Sequence, residues 1–199
     1  MGRKKKTTLR VMPDNWLYPH DFKRAFPHPE RPLEIDIGSG KGRFLAARSG
    51  RYPEINFMGI ERQLGRINSS GRRCERAGRE NVRLFRMEGY YAINYLMPAD
   101  YVATYYFFFP DPWPKERHHD HRLFNPMFMD ALHRTLEPGG CLHVATDHEP
   151  YFAEIQAMLI ADSRFEEVKA FEPDDAERTD FELIFAHKKI GRCSFRKVC

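Results

Sequence analysis

The feature that most constrains this chain is a short apolar run cut off by glycines. Leu33-Glu34-Ile35-Asp36-Ile37 has the content of a buried strand and stops at Gly38-Ser39-Gly40-Lys41-Gly42. Glycine tolerates the left-handed backbone of a tight turn and lets the main chain approach a ligand closely. A helix of about eight residues is expected to follow. Further strands are expected at 55–60, 82–86, 101–109, 141–145, 165–171 and 181–187, with helices at 66–77, 92–96, 125–136 and 151–161. That alternation specifies an α/β fold with an open, mostly parallel sheet and helices on both faces. Ligands bind such sheets beyond the carboxyl ends of the strands, where Gly38 to Gly42, Glu61, Asp111 and Asp147 fall.

The rest of the chain frames one domain. Residues 11–32 contain Pro13, Pro19, Pro27, Pro29 and Pro32, which exclude a long helix. The expected organisation is a basic, proline-rich arm over 1–32, a domain over 33–187 and a basic tail over 188–199. Residues 1–10 and 188–199 each carry five cationic side chains, yet the formal net charge is only +4, so the body between them is acidic. Two basic ends suggest a polyanionic partner, although such ends also serve solubility. The longest apolar-aromatic run, 101–109, is interrupted by Thr104 and falls far short of the roughly 18–20 residues that span a bilayer. The start is basic with no apolar stretch behind it, and Cys74, Cys141, Cys193 and Cys199 form no C-x-x-C pair. A cytoplasmic protein with reduced thiols is expected, with no membrane contact, no zinc site and no obligatory protein partner.

The glycine turn reads as part of a nucleoside pocket. Glu61 ends the second expected strand, 23 positions after Gly38, where an acid can accept both hydroxyls of a ribose. The dinucleotide pattern G-x-G-x-x-G fails because Arg43 takes the third glycine's place, and no G-K-[ST] phosphate loop is present. A ribose acid without a phosphate grip suits S-adenosylmethionine, and Asp36 could face its amino group. Taken alone, the glycines would specify only a tight turn.

The most specific stretch is Phe109-Pro110-Asp111-Pro112-Trp113-Pro114-Lys115-Glu116-Arg117-His118-His119. Trp113 and the phenylalanines before it could stack on a splayed base, and Lys115, Arg117 and Arg122 could hold phosphates. The His118-His119-Asp120-His121 cluster has no partner set at metal-ligand spacing, so no metal is expected.

This segment resembles the signature of the tRNA (guanine-N7-)-methyltransferase family. The resemblance runs over about residues 30–187, with Leu136-Glu137-Pro138-Gly139-Gly140, Thr146-Asp147-His148-Glu149 and Thr179-Asp180-Phe181-Glu182 in the family's order. It implies a Rossmann-like class I S-adenosylmethionine-dependent methyltransferase that modifies a variable-loop guanine of tRNA. Its cofactor acids fall on Asp36, where the family usually has Glu, and on Glu61, with Gly38 in the glycine turn between them. Its proposed catalytic acid, also beside the cofactor, falls on Asp111. Its substrate positions fall on Lys115, Asp147, Thr179, Asp180, Phe181 and Glu182. Two positions depart from the pattern. Tyr91 stands where the family has Asp or Asn, so either Tyr91 stacks on adenine or Glu88 supplies the carboxylate. Asp180 replaces the usual Lys. The alternatives are a methyltransferase acting on an exocyclic base nitrogen and a catalytically silent tRNA-binding protein.

Overall fold

The computed structural model describes residues 7–198, so the basic side chains at 3–6 and Cys199 lie outside the described residues. The strands are β1 (Arg10–Val11), β2 (Leu33–Ile37), β3 (Asn56–Ile60), β4 (Val82–Phe85), β5 (Val102–Phe108), β6 (Leu136–Thr146), β7 (Phe165–Val168) and β8 (Gly191–Lys197). The helices are α1 (Arg43–Arg51), α2 (Leu64–Arg76), α3 (Gly89–Tyr91, continued by a π-turn through Leu96), α4 (Pro126–Thr135), α5 (Glu149–Ala161) and α6 (Asp180–Ile184). One eight-stranded sheet runs β1-β4-β3-β2-β5-β6-β8-β7. The first six strands in that order are parallel to their neighbours, and β8 is antiparallel to both β6 and β7.

β2 and β3 are buried along their whole length, which is why they read as continuous apolar runs rather than alternating ones. α1 and α2 cover one face, where Phe44 packs edge-on to Tyr106 and Leu45, Ile67 and Cys74 close over Phe57 and Leu84. α4 and α5 cover the other, placing Phe128, Leu132, Tyr151 and Ile155 in one core with Ile35 and Phe107. Helices therefore lie on both faces. Chain order reverses between β2 and β5, and a topological switch of this kind opens a crevice at the strands' carboxyl ends.

Three expectations change. The segment 181–187 is not a strand. Thr179 and Glu182 form a capping box that starts α6. The segment 188–199 is not a free tail either, because β8 is threaded between β6 and β7. Cys193 and Phe195 point into the core while Arg196 pairs with Glu166 and Lys197 with Asp100. Much of its positive charge is paired within the fold, Arg192 with Glu182 as well as Arg196 and Lys197 with their partners. In the arm, the described residues are docked. Arg10 and Val11 pair with Leu84 and Phe85, and Phe22 and Phe26 are buried. Fully burying a Phe side chain is worth roughly 1.5–3 kcal/mol, enough to hold such a segment down. Among the described residues no helix is long and apolar enough to cross a membrane.

Candidate active site

At the carboxyl end of β2 the chain turns through Gly38, Gly40 and Gly42, with φ of 77°, 54° and 72°. The turn is pinned to β3, since the Gly38 and Ser39 N–H groups both donate to the Ile60 carbonyl at 2.8 and 3.1 Å. Two glycines are required for different reasons. A Cβ on Gly42 would lie 2.1 Å from Ser70 Oγ, so glycine lets α1 and α2 approach. At Gly38 nothing lies within 4 Å of the Cβ position, so its left-handed backbone faces open space. Arg43, in the third glycine's place, donates to the Arg178 carbonyl at 2.9 Å.

Glu61 follows β3 and is only 5% exposed. Its Oε1 accepts the Gln63 N–H at 2.7 Å, its Oε2 accepts the Gly40 N–H at 3.2 Å, and Arg66 stands 3.8 Å away. A carboxylate has about four lone-pair sites, so capacity remains for ligand hydroxyls. Asp36 lies beneath the turn, inside the sheet, opposite Gly59 on β3 and Tyr106 on β5. Burial, reinforced by the nearby charge of Glu61, pushes its carboxyl up to about 7.

Asp111 follows β5 on a loop with unusual backbone. Phe109 and Trp113 have φ of 56° and 42°. Such non-glycine conformations cost roughly 1–3 kcal/mol each and persist only where the surroundings impose them. Here they are imposed from both sides. The Phe109 N–H donates to the Ala145 carbonyl at 2.7 Å, and its ring lies 4.7 Å from that of Phe181. The Pro112 carbonyl accepts Arg122 Nε at 2.9 Å, and Arg122 is itself buried, paired with Glu154 and seated over the Tyr151 ring. Arg122 thus braces the loop instead of reaching a phosphate. Trp113 lies beside the rings of His121 and His118.

Gly38, Glu61 and Asp111 come together around one cleft of about 660 Å³, within the usual size of a small-molecule site. Trp113, Glu88 and Tyr90 share its lining. Tyr90 was not expected from sequence; its ring stacks on Phe128, 5.7 Å away. Arg66, in the first turn of α2, also lines the cleft.

Other expected residues lie elsewhere. Tyr91 does not line the cleft. Its hydroxyl donates to the Trp16 carbonyl at 3.0 Å, because the helical turn begun by the Glu88 cap carries residue 91 outward. Of the two ways to fill that position, the geometry favours Glu88. Lys115 is exposed beyond the rim, and Asp147 is ion-paired with Lys188 at 2.5 Å. Thr179 and Glu182 are committed to the α6 cap, with Glu182 also paired to Arg192, and Asp180 faces Arg73 at 3.6 Å. Phe181 reaches the site only through Phe109.

A family model described as "Putative methyltransferase" matches residues 30–188. A tRNA (guanine-N(7)-)-methyltransferase of Halorhodospira halophila is 36% identical over 156 residues, 76% of this chain and 68% of that protein. Proteins of the same name from Hydrogenovibrio crunogenus and Nitrosococcus oceani are 32% and 37% identical, over 86% and 70% of this chain and 70% and 58% of their own lengths. Among solved structures, a SAM-dependent methyltransferase from Aquifex aeolicus matches with a TM-score of 0.58 at 16% identity, covering 84% of this chain and 82% of its own. An rRNA methylase from Streptococcus thermophilus matches at 0.56 and 15%, covering 85% and 88%. These two likenesses concern the fold, a class I methyltransferase sheet with helices on both faces. The cleft at the switch point, the Pro-Asp-Pro loop and the matched sequences agree, and the chain belongs to the tRNA (guanine-N7-)-methyltransferase family.

Proposed function

We propose that this protein transfers a methyl group from S-adenosylmethionine to N7 of a guanine in the variable loop of tRNA. The observation that carries this reading is the meeting of Gly38, Glu61 and Asp111 around one cleft. The cofactor side fits a nucleoside. Glu61 is held by two backbone N–H groups with acceptor capacity left for a ribose, and the Gly38 backbone faces open space. Asp36, buried beneath the turn and outside the cleft lining, adds negative potential toward a cationic ligand only as its carboxyl ionises, near pH 7. When bound, S-adenosylmethionine supplies an electrophilic methyl group on a positively charged sulfur.

Guanine N7 carries a free lone pair and no proton, so its methylation needs no general base. The residues around the cleft have to position and to stabilise charge. Trp113, at the rim, offers a face for the base. Asp111, fixed between two prolines, accepts N–H groups of the guanine and opposes the positive charge that builds on the ring as N7 is alkylated. Positioning and preorganised charge of this kind are the two large contributions open to a site without acid–base chemistry. Acting on tRNA, the enzyme works in the cytoplasm.

The cationic product also provides the test. Reduction followed by aniline cleaves an RNA strand at 7-methylguanosine, so a labelled unmodified tRNA incubated with protein and cofactor should break once, in the variable loop. A tRNA left uncleaved but methylated elsewhere would overturn the assignment to N7.

A further inference from the structure

A second cavity, of about 460 Å³, lies between the 170–178 segment, α6 and the start of β8. Arg178, Lys188 and Arg192 line it, opposed by Glu172 and Glu182. The Arg192 side chain is 13% exposed, with Nη2 paired to Glu182 and Nε 3.3 Å from Glu172. Its Nη1 is buried and has no hydrogen-bond partner. A buried cationic donor without an acceptor is costly, and a guanidinium fork matches phosphate oxygens. Lys188 is 43% exposed and uses one of its three donors on Asp147, leaving two. Arg178 is held only by an exposed pair with Asp175, which is weak and easily exchanged. The opposing carboxylates do not fill the cavity's need. Glu182 is spent on Arg192 and the Thr179 N–H, and Glu172 is 71% exposed.

The cavity and the cleft share no lining residue, but two contacts connect them. Lys188 pairs with Asp147, directly after β6, and α6 touches the Asp111 loop through Phe181 and Phe109. We propose that Arg178, Lys188 and Arg192 form a phosphate pocket that receives a backbone phosphate of the RNA whose guanine enters the cleft. The choice of RNA as the phosphate's source rests on the function proposed above.

Two measurements on the full chain test this. In protein labelled with ¹⁵N-arginine, inorganic phosphate should shift the Arg192 side-chain signals, and the double variant Arg178→Gln, Lys188→Gln should abolish the shift. In binding titrations with unmodified tRNA at several salt concentrations, the same variant should lose roughly tenfold in affinity. Its log–log salt slope should flatten by about 0.7–0.9, the loss of one phosphate contact. Its affinity for S-adenosylmethionine and its melting temperature should match the wild type. No response of Arg192 to phosphate would overturn the pocket. A phosphate response with an unchanged tRNA slope would assign the pocket to a free anion and overturn the RNA source. The enzymatic reading fails separately: wild-type protein that shows the pocket-dependent slope but methylates no guanine keeps the pocket and loses the reaction.

Discussion

The ring of Phe181 lies 4.7 Å from that of Phe109, the left-handed residue two positions before Asp111. α6 is anchored by its capping box and by the Glu182–Arg192 pair to β8, so this contact ties the Asp111 loop to the sheet's antiparallel edge. Phe181→Ala should lower kcat about tenfold, since a loop off by a fraction of its productive geometry loses rate quickly. Cofactor affinity should stay unchanged, and Phe181→Tyr should restore turnover. Steady-state kinetics of both variants checks this; a rise in cofactor KM with normal kcat would contradict it.

Glu61→Ala should weaken S-adenosylmethionine binding by roughly 10- to 100-fold, the range expected for lost hydrogen bonds to a charged group. A grip made equally in ground and transition states raises KM more than it lowers kcat. Calorimetry with the cofactor and kinetics at saturating cofactor separate the two effects.

At the next strand end, Glu88 lines the cleft while Tyr91 turns outward to the Trp16 carbonyl. Glu88→Gln should therefore weaken cofactor binding, whereas Tyr91→Ala and Tyr91→Phe should both leave it within about twofold. Gln keeps an acceptor for the α3 cap, so loss of the cap, worth about 1 kcal/mol, is not confounded with loss of charge. Cofactor binding weakened by Tyr91→Ala alone would place the aromatic ring in the pocket.

Asp36 makes a pH prediction. Its carboxyl is raised to about 7 in the folded protein, against an ordinary value of 3.8, by burial and then by Glu61. The folded state therefore holds a proton that the unfolded state has released between those two values, and this contribution to stability is lost as pH rises through about 7. Asp36→Asn should raise the melting temperature of the ligand-free protein at pH 8 and change it much less at pH 5. Thermal melts at both values suffice, and an equal shift at the two would remove Asp36 as the cause.

Much of the site is legible in the sequence because its signals are local. β2 is a run of apolar residues stopped by glycine, Glu61 ends a strand, and Asp111 sits between two prolines. What stays hidden depends on the tertiary fold. Basic residues around Cys193 and Phe195 mask a period-two strand, since their partners Glu166 and Asp100 are distant in sequence. The aromatic content of 181–187 suggests a strand, although Thr179 and Glu182 carry the cap signal that starts a helix. Whether Glu88 or Tyr91 faces the cofactor depends on the direction of one helical turn, which no nearby residue type announces.

The most direct measurement is mass spectrometry of nucleosides from unmodified tRNA treated with the protein and isotope-labelled S-adenosylmethionine. The wild type should produce labelled 7-methylguanosine, and Asp111→Ala, folded and cofactor-binding, should produce it roughly 100-fold more slowly, as loss of a preorganised electrostatic group does. Label on an exocyclic nitrogen, or no label in a protein that still binds tRNA, would contradict the assignment of this cleft to guanine N7.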